Sequence, residues 1–347
     1  MSVRVLKPGL LSSLQDLGRL GYQHQGIPAA GAMDARAHRL ASLLAGNDPA
    51  RTASLEITLQ GPTLRFERAA CFALGGASLG AALNGQPLPV NRPLLARAGD
   101  ELSFGAPIFA PDETAPGAAP GLRAYLAVHG GFAVPPLMGS ESTYLRSGFG
   151  GHHGRALAKG DTIELRLHLR EDGLDALEDA QWQTRLYLPG TLAARTRATV
   201  RAMPGRQWED FSAAARAAFG QEPFTVTPQS DRMGYRLDGP ALGMDTPRQM
   251  LSEATCFGTV QVPADGAPIV LMADRQTTGG YPKIAQVASV DLPALAQTAP
   301  GSTIRFEMIS LEQAQRLDSD RETAFAHLAA ALAPLRALYA RHTYEPD

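Results

Sequence analysis

The densest group of chemically versatile side chains lies in residues 273–284, which read ADRQTTGGYPKI. Arg275 offers a planar fork that matches a carboxylate or phosphate, and Lys283 offers a compact positive charge. Gly279 and Gly280 allow the backbone to approach a ligand closely. We therefore predict that this segment binds a small anion or amide. The alternative is a β-hairpin whose arginine only pairs with a surface acid.

Lys283 has a second reason to be of interest. The chain contains only three lysines, at positions 7, 159 and 283, against 29 arginines. A lysine kept in so arginine-rich a composition indicates a chemical role, and we predict that Lys283 is catalytic.

A second candidate group lies in residues 138–155, which read MGSESTYLRSGFGGHHGR. Arg146 is the cation expected to meet the substrate, and His153 is a candidate general acid or base, the alternative being a solvated loop histidine. Gly150 and Gly151 are candidates for substrate binding, although the P-loop pattern is absent. Adjacent side chains on an extended strand point to opposite faces, so this histidine and the one before it do not predict a metal site.

A third group lies in residues 230–237, which read SDRMGYRL. Arg232 stands beside a glycine turn and suits anion recognition, whereas Tyr235 fits either a substrate contact or a structural turn. The sequence has no Gly-x-Ser-x-Gly elbow and no zinc-hydrolase spacing, and neither cysteine lies in a recognisable motif. The predicted site contains no metal ligands; its catalytic residues are Lys283, Arg275, Arg146 and His153, and its substrate-binding residues are Arg232, Tyr235, Gln276, Thr277, Thr278, Gly279, Gly280, Tyr281, Gly150 and Gly151.

Composition limits the class of protein. A chain of 347 residues exceeds what one hydrophobic core usually fills, which favours two domains. The formal net charge is -2 without a basic tail, so we expect no nucleic-acid partner. The apolar runs are far too short for a membrane span or a signal peptide. With two cysteines, no disulfide framework is predicted, and the cytoplasm is the expected location.

Many short alternating segments, separated by Gly and Pro, predict a mainly β fold. Asn84-Gly85 is a strong hairpin signal, because both residues tolerate positive φ. The patterns predict helices over 34–44, 208–219 and 311–339, the last a C-terminal helix, and a loop over 105–121.

An internal repeat divides the chain. Residues 3–9, VRVLKPG, return as VRAMPG at 200–205, and the Asp-to-Gly-Tyr segment 16–22 returns at 231–235. Glu56 and Glu253 also correspond, as do 98–104 and 300–306. We therefore predict two related β-modules, 1–196 and 197–347, joined near residues 170–198.

The sequence resembles the biotin-dependent carboxyltransferase-like family, also called the allophanate hydrolase subunit 2 or KipA-like family. The resemblance covers about residues 5–306 and rests on the blocks 139–144, 150–161, 230–237 and 274–282. It implies two tandem cyclophilin-like β-barrel modules with a cleft between them. Relatives often carry a basic residue at the position of Glu141, so this acid puts the exact ligand in question.

The resemblance also implies a function. Stand-alone members of the family include one subunit of ATP-dependent 5-oxoprolinases, which convert 5-oxo-L-proline, ATP and water to L-glutamate, ADP and phosphate. It implies a B-like (KipI-like) protein and an A-like protein as partner subunits, a small amide as substrate, and no activity of the chain alone. ATP is the implied cofactor, either with or without Mg2+. It would be bound either by this chain or mainly with the B-like partner.

Two other functions stay open under the same resemblance. One is a KipA-like regulatory protein that antagonises a kinase inhibitor by binding it. The other is the carboxyltransferase component of a urea carboxylase or allophanate hydrolase-type system. None of the three lysines lies between methionines, so we expect no covalently attached biotin, and a separate biotinylated carrier would be needed.

Overall fold

The structure, a computed structural model, describes residues 2–107, 121–193, 198–245 and 250–345. The chain divides into two compact units. Unit 1 comprises Met1–Arg19, Asp34–Arg195 and Thr323–Asp347, and unit 2 comprises Leu20–Met33 and Thr196–Glu322. The longer segment of unit 2 begins at Thr196, and the division of the chain into two related modules at 196/197 stays a prediction. The observed units differ from the predicted modules in two segments, because 20–33 groups with unit 2 and 323–347 groups with unit 1.

The described residues form short strands and a few helices. The strands are β1 (Ser2–Lys7), β2 (Leu11–Gln15), β3 (Ser54–Thr58), β4 (Thr63–Phe66), β5 (Ala70–Gly76), β6 (Ala82–Leu83), β7 (Gln86–Pro87), β8 (Pro93–Ala96), β9 (Glu101–Ser103), β10 (Arg123–Val128), β11 (Thr162–Glu164), β12 (His168–Leu169), β13 (Thr199–Pro204), β14 (Phe224–Val226), β15 (Gly234–Asp238), β16 (Glu253–Ala254), β17 (Thr259–Gln261), β18 (Ile269–Leu271), β19 (Thr278–Gly279), β20 (Lys283–Val287), β21 (Thr303–Met308) and β22 (Thr343–Tyr344). The α helices are α1 (Ala35–Leu44), α2 (Leu174–Gln183), α3 (Ala213–Gln221), α4 (Leu292–Ala296), α5 (Leu311–Ala331) and α6 (Ala333–Arg341).

The described part of unit 1 contains two large antiparallel sheets, ordered β11-β1-β4-β9-β6-β7 and β2-β3-β10-β5-β8, and a small two-stranded sheet, β12-β22. Strand β1 alternates buried Val3 and Val5 with exposed Arg4, which is the pattern of a strand with one face on the core. Strands β5 and β10 are buried along their whole length. Helix α1 approaches β5 so closely that a side chain at Gly75 would lie 2.4 Å from the carbonyl of Ala37. A glycine is therefore required where helix and sheet meet.

Unit 2 contains a closed seven-stranded barrel in the order β13-β20-β17-β18-β15-β14-β21. Strands β13 and β21 pair in parallel, and closure leaves the barrel without an open edge. The interior is filled by alternate residues of the strands, such as Val200, Ile304 and Phe306. Phe219 of α3 stacks on Phe306 with ring centroids 4.3 Å apart, so this helix packs on the apolar core.

The mainly β fold with a closed barrel and few helices confirms the fold class predicted from the sequence. The hairpin at Asn84-Gly85 is also confirmed. These residues have φ angles of 50° and 80° and form the two-residue turn that pairs Leu83 with Gln86. The predicted loop at 105–121 lies mostly outside the described residues.

Two of the predicted helices are each interrupted in the structure. The segment 208–219 splits into the 3-10 turn Trp208–Asp210 and helix α3, because Ser212 caps a new helix by accepting a hydrogen bond from the N–H of Ala215 at 3.1 Å. The predicted C-terminal helix breaks at Leu332 into α5 and α6. Pro334 stands in the first turn of α6, where its missing N–H leaves no helical hydrogen bond unmade.

The repeated Asp-to-Gly-Tyr segment performs the same local task in each unit. The side chain of Asp16 accepts a hydrogen bond from the N–H of Gly18 at 2.7 Å, and that of Asp231 accepts one from the N–H of Met233 at 2.8 Å. In both segments an aspartate side chain accepts a hydrogen bond from the backbone N–H two residues later, which stabilises a local turn. Among the described residues, no helix is long and apolar enough to cross a membrane.

Candidate functional site

Lys283 begins strand β20 in the wall of the barrel of unit 2. Its Nζ atom lies 2.9 Å from Oε2 of Glu253, and the lysine side chain is 11% exposed. The other carboxylate oxygen, Oε1, lies 3.2 Å from Nη1 of Arg206. The predicted catalytic lysine is therefore largely buried and forms an ion pair with Glu253. The same carboxylate also forms an ion pair with the exposed Arg206.

Glu253 is positioned by a small ladder outside the barrel. Strand β16 pairs with β19, so that Glu253 lies opposite Gly279 and Ala254 lies opposite Thr278. The next residue, Thr255, extends this pairing, because its N–H donates to the carbonyl of Thr277 at 3.0 Å. The polar loop after β18 is thus folded back beside the carboxylate that holds the lysine.

Hydrogen bonding from Lys283, with further contributions from Arg206 and Gln207, lowers the pKa of Glu253 below its ordinary value of 4.5. The carboxylate therefore stays ionised at neutral pH and keeps the ammonium oriented. Gln207 also accepts a hydrogen bond from the N–H of Lys283 at 3.1 Å. Glu253, Arg206 and Gln207 are not among the site residues predicted from the sequence. The one sequence signal for this acid is the repeat in which Glu56 and Glu253 correspond.

Arg275 is buried, with 8% of its surface exposed. Its Nη1 atom reaches the carbonyl of Met272 at 3.4 Å, and its Nε–H finds no hydrogen-bond partner among the described residues. Burial lowers the pKa of this guanidinium, which nevertheless remains a cation because arginine ionises far above neutral pH. A desolvated cation with an unused donor is suited to an anionic or carbonyl ligand.

Arg232 and Tyr235 have structural partners instead of facing an open site. Nε and Nη2 of Arg232 each lie 2.9 Å from an oxygen of Asp274, and Nη2 also donates to the carbonyl of Gly31 at 2.7 Å. Tyr235 is 2% exposed and belongs to the apolar core of the barrel. A buried bidentate ion pair and core packing thus give both residues a structural role. Their assignment to substrate binding stays a prediction.

The remaining predicted residues of unit 2 lie close to the lysine along the chain and in the ladder. Gln276 and Thr277 are half-buried, Thr278 is exposed, and Tyr281 is 49% exposed. Gly280 has room around it, since the atoms nearest to an added methyl group would be 3.5 Å away. Glu253 links the two parts of this segment, because it pairs with Lys283 and lies opposite Gly279. A shared role of Lys283 and the 276–280 loop in binding stays a prediction.

Three predicted residues line a cavity of unit 1 with a volume of about 610 Å³: Gly150, Gly151 and His153. A side chain at Gly150 would lie 2.2 Å from the carbonyl of Ser142, so packing explains this glycine. His153 is exposed, and its ring meets that of His152 edge-on at 4.2 Å. Arg146 is exposed in the same unit. A shared role of these residues with Lys283 stays a prediction.

Glu141, the acid that departs from the family pattern, is buried. Its Oε2 accepts a hydrogen bond from the N–H of Ala53 at 2.8 Å, and its Oε1 pairs with Nη2 of Arg166. Asp16 accepts a further hydrogen bond from the N–H of Glu141 at 2.6 Å. The acid at this position has an internal cation and backbone donors as partners, so it stabilises unit 1.

Metal ligands are not assembled in the part of the chain that the structure describes, where no group of three or more His, Cys, Asp and Glu residues could hold an ion. The donors that are present fit an anion instead. Lys283 and Arg275 supply positive charge and N–H groups, which is the chemistry that phosphate and carboxylate oxygens require.

A family model described as the carboxyltransferase domain, subdomain A and B, matches residues 25–308. The chain is 39% identical over 329 residues to the C subunit of 5-oxoprolinase from Escherichia coli (strain K12), a match that covers 94% of this chain and 97% of that protein. It is 37% identical over 311 residues to the C subunit of 5-oxoprolinase from Haemophilus influenzae, covering 90% and 92% respectively.

Among solved structures, the urea amidolyase of K. lactis superposes with a TM-score of 0.81 at 28% identity. The match covers 94% of this chain but only 20% of that longer chain. These similarities agree with the sequence blocks identified above, and they extend over both units. The chain therefore belongs to the family of carboxyltransferase domains with subdomains A and B.

Proposed function

We propose that this chain is the C subunit of an ATP-dependent 5-oxoprolinase. The observation that carries the proposal is the similarity, over nearly the full length of both chains, to two proteins named as the C subunit of 5-oxoprolinase. The complex would convert 5-oxo-L-proline, ATP and water to L-glutamate, ADP and phosphate. Two water molecules are consumed: one adds when the ring opens, and the second adds when the phosphorylated intermediate releases phosphate.

The geometry around Lys283 suits this chemistry. A lactam is a stable amide, and ATP supplies the phosphoryl group that activates its oxygen. The chain would contribute donors that neutralise the negative charge of the reactants and of the developing transition state. Lys283 is oriented for this by Glu253, and Arg275 offers, in a desolvated position, an Nε–H that no described residue accepts from. In this proposal the amides and hydroxyls of the 277–280 loop position the lactam.

The proposal includes partners. The name of the bacterial relatives denotes one member of a multi-protein assembly, and we propose an A-like protein and a B-like protein as its other members. We further propose that the chain alone does not turn over, and that part of the ATP-binding surface belongs to the B-like protein.

A second function, that of a carboxyltransferase component, is favoured by one observation. The superposition on urea amidolyase covers 94% of the chain with a TM-score of 0.81. Both reactions act on a small amide and need an anionic activated group beside it, phosphoryl in one and carboxyl in the other. The same cations would serve either reaction, with the carboxyl group delivered by a separate biotinylated carrier.

A coupled assay tests the proposal. The chain is co-purified with its A-like and B-like neighbours, and glutamate formation from 5-oxoproline is followed with and without ATP. Omission of each protein in turn is the control. We expect glutamate only when all three proteins and ATP are present. A stable complex that forms no glutamate would contradict the proposal. The same preparation would then be assayed for carboxyl transfer with urea and a biotinylated carrier.

A further inference from the structure

Gln261 lies beside the catalytic candidate although its sequence context does not mark it. It ends strand β17 and is the cross-strand partner of Lys283 on β20. Directly opposed residues of an antiparallel pair project from the same face, with Cβ atoms about 4.5–5.5 Å apart. The pairing shifts by one residue between Val260 and Gln261. Such an irregularity changes the direction of a side chain and is frequent beside active sites.

The side-chain amide of Gln261 is buried but not satisfied. The residue is 1% exposed. Its Oε1 accepts a long hydrogen bond of 3.4 Å from Nε2 of Gln276, and its own Nε2 has no hydrogen-bond partner among the described residues. A buried N–H group without an acceptor is unfavourable, because it has lost water without replacement. In a functional site, this is the state expected of a donor whose acceptor is a ligand.

Gly279 shows where that donor lies. A methyl group on Gly279 would come within 2.3 Å of Nε2 of Gln261, so the amide lies against the backbone of the loop that carries the predicted substrate contacts. Gln276, whose side chain donates to the Oε1 of Gln261, is only half-buried and makes this contact through a long hydrogen bond. Strands β16 and β19 pair through just two residues each, and so short a ladder adjusts readily.

We propose that Gln261 is a substrate-binding residue that determines specificity, and that its Nε2 donates a hydrogen bond to an acceptor oxygen of the small amide substrate once the side chain of Gln276 moves aside. The inference rests on the proposed function, since it names a residue of the same site. Lys283 and Gln261 then act as a pair on one face of the barrel wall: the lysine supplies charge, and the amide distinguishes a carbonyl or carboxylate oxygen from a donor group.

The test uses the three-protein complex and compares Gln261→Leu with Gln286→Leu. Gln286 is a matched control on the neighbouring strand, because its amide is fully engaged inside the chain. Its Nε2 donates to the carbonyl of Phe257 at 2.7 Å, and its Oε1 accepts from the hydroxyl of Thr259 at 2.9 Å. Steady-state KM values for 5-oxoproline and for ATP, and the Tm of each variant chain, are measured.

We expect Gln261→Leu to raise the KM for 5-oxoproline about tenfold or more, with the KM for ATP unchanged and no loss of Tm, since it removes an unsatisfied amide. Gln286→Leu should lower Tm and leave the KM for 5-oxoproline unchanged. An unchanged KM for 5-oxoproline in Gln261→Leu, or a loss of Tm equal to that of Gln286→Leu, would overturn the inference while the wild-type complex still makes glutamate. If the wild-type complex makes no glutamate, the proposed function fails instead.

Discussion

Nζ of Lys283 lies 2.9 Å from Oε2 of Glu253, in a pair whose lysine side chain is only 11% exposed. Burial of this kind removes water from the ammonium and leaves the carboxylate to fix its direction. Because Glu253 also interacts with Arg206, its charge is shared between two cations. Lys283 is therefore held in place without being fully neutralised, which is what a residue that meets an incoming anion requires.

Replacement of Lys283 by methionine should abolish glutamate formation and leave the complex with the partner proteins intact. Methionine keeps much of the length and apolar volume of the side chain but removes its charge. Turnover is measured in the coupled assay, and complex formation by size-exclusion chromatography. Lys159→Met is the matched control, because Lys159 is exposed in unit 1. Normal turnover by Lys283→Met would refute the catalytic assignment.

Loss of the same ammonium should raise the pKa of Glu253 towards its ordinary value of 4.5, because the main cause of the lowered pKa is the hydrogen bond from Lys283. In the wild type, the stabilisation from this ionised carboxylate is present above pH 4.5 and is lost as the pH falls through the lowered pKa. NMR titration of the side-chain carboxyl carbon in wild type and Lys283→Met checks the direction. An equal or lower pKa in the variant would be inconsistent with this pairing.

Breaking the buried pair between Arg232 and Asp274 should be costly. Arg232→Met leaves an uncompensated buried carboxylate, for which we expect a loss of about 3–5 kcal/mol in the free energy of unfolding. Urea denaturation measures it, and the double variant Arg232→Met with Asp274→Leu should recover part of the loss. The exposed pair of Arg65 and Glu101 is the control, since Arg65→Met should cost less than about 1 kcal/mol. Equal losses would refute the structural role of Arg232.

Replacement by alanine should change the stability of the protein differently at Gly279 and at Gly280. A methyl group at Gly279 would come 2.3 Å from Nε2 of Gln261, whereas the nearest atoms at Gly280 are 3.5 Å away. Gly279→Ala should therefore lower the unfolding free energy by about 1–3 kcal/mol, as overpacking does, and Gly280→Ala should be nearly neutral. Thermal unfolding measures both. Adding Gln261→Ala to Gly279→Ala should restore Tm by making room; failure to do so would show that the clash lies elsewhere.

The two cysteines should differ in reactivity. Cys71 is buried, and its burial raises the pKa of the thiol to about 12, whereas Cys256 is exposed. Because the thiolate is the reactive form, iodoacetamide at pH 8 should label Cys256 and leave Cys71 unmodified in the folded chain. Mass spectrometry of the intact protein counts the adducts, with urea-unfolded protein as the control for labelling of both. Rapid double labelling of the folded chain would contradict the buried position of Cys71.

Much of the fold could be predicted from the sequence, because it depends on interactions between residues that are close together in the chain. The alternation of apolar residues in β1 and β4, the Asn84-Gly85 turn and the capping aspartate before α1 all act within a few residues, so their pattern can be read directly. The 273–284 segment could be chosen as a candidate site from the sequence, because charged residues beside a pair of glycines are chemically informative by themselves; its role in binding stays a prediction. The helix over 311–339 was predicted without its break, since the leucine spacing continues through Leu332 while Pro334 begins a new helix.

Only the tertiary structure decided which of the charged residues remain available to a ligand. Arg232 and Arg275 look equivalent in the sequence, but Asp274 satisfies the first with two hydrogen bonds. The Nε–H of Arg275 has no hydrogen-bond acceptor in the part of the chain that the structure describes. Gln261 and Lys283 are 22 positions apart and become neighbours only when β17 pairs with β20. The physical reason is that hydrogen-bond satisfaction depends on which groups a strand register brings together. That register is set by the whole barrel, whereas a turn or a cap is set by the residues beside it.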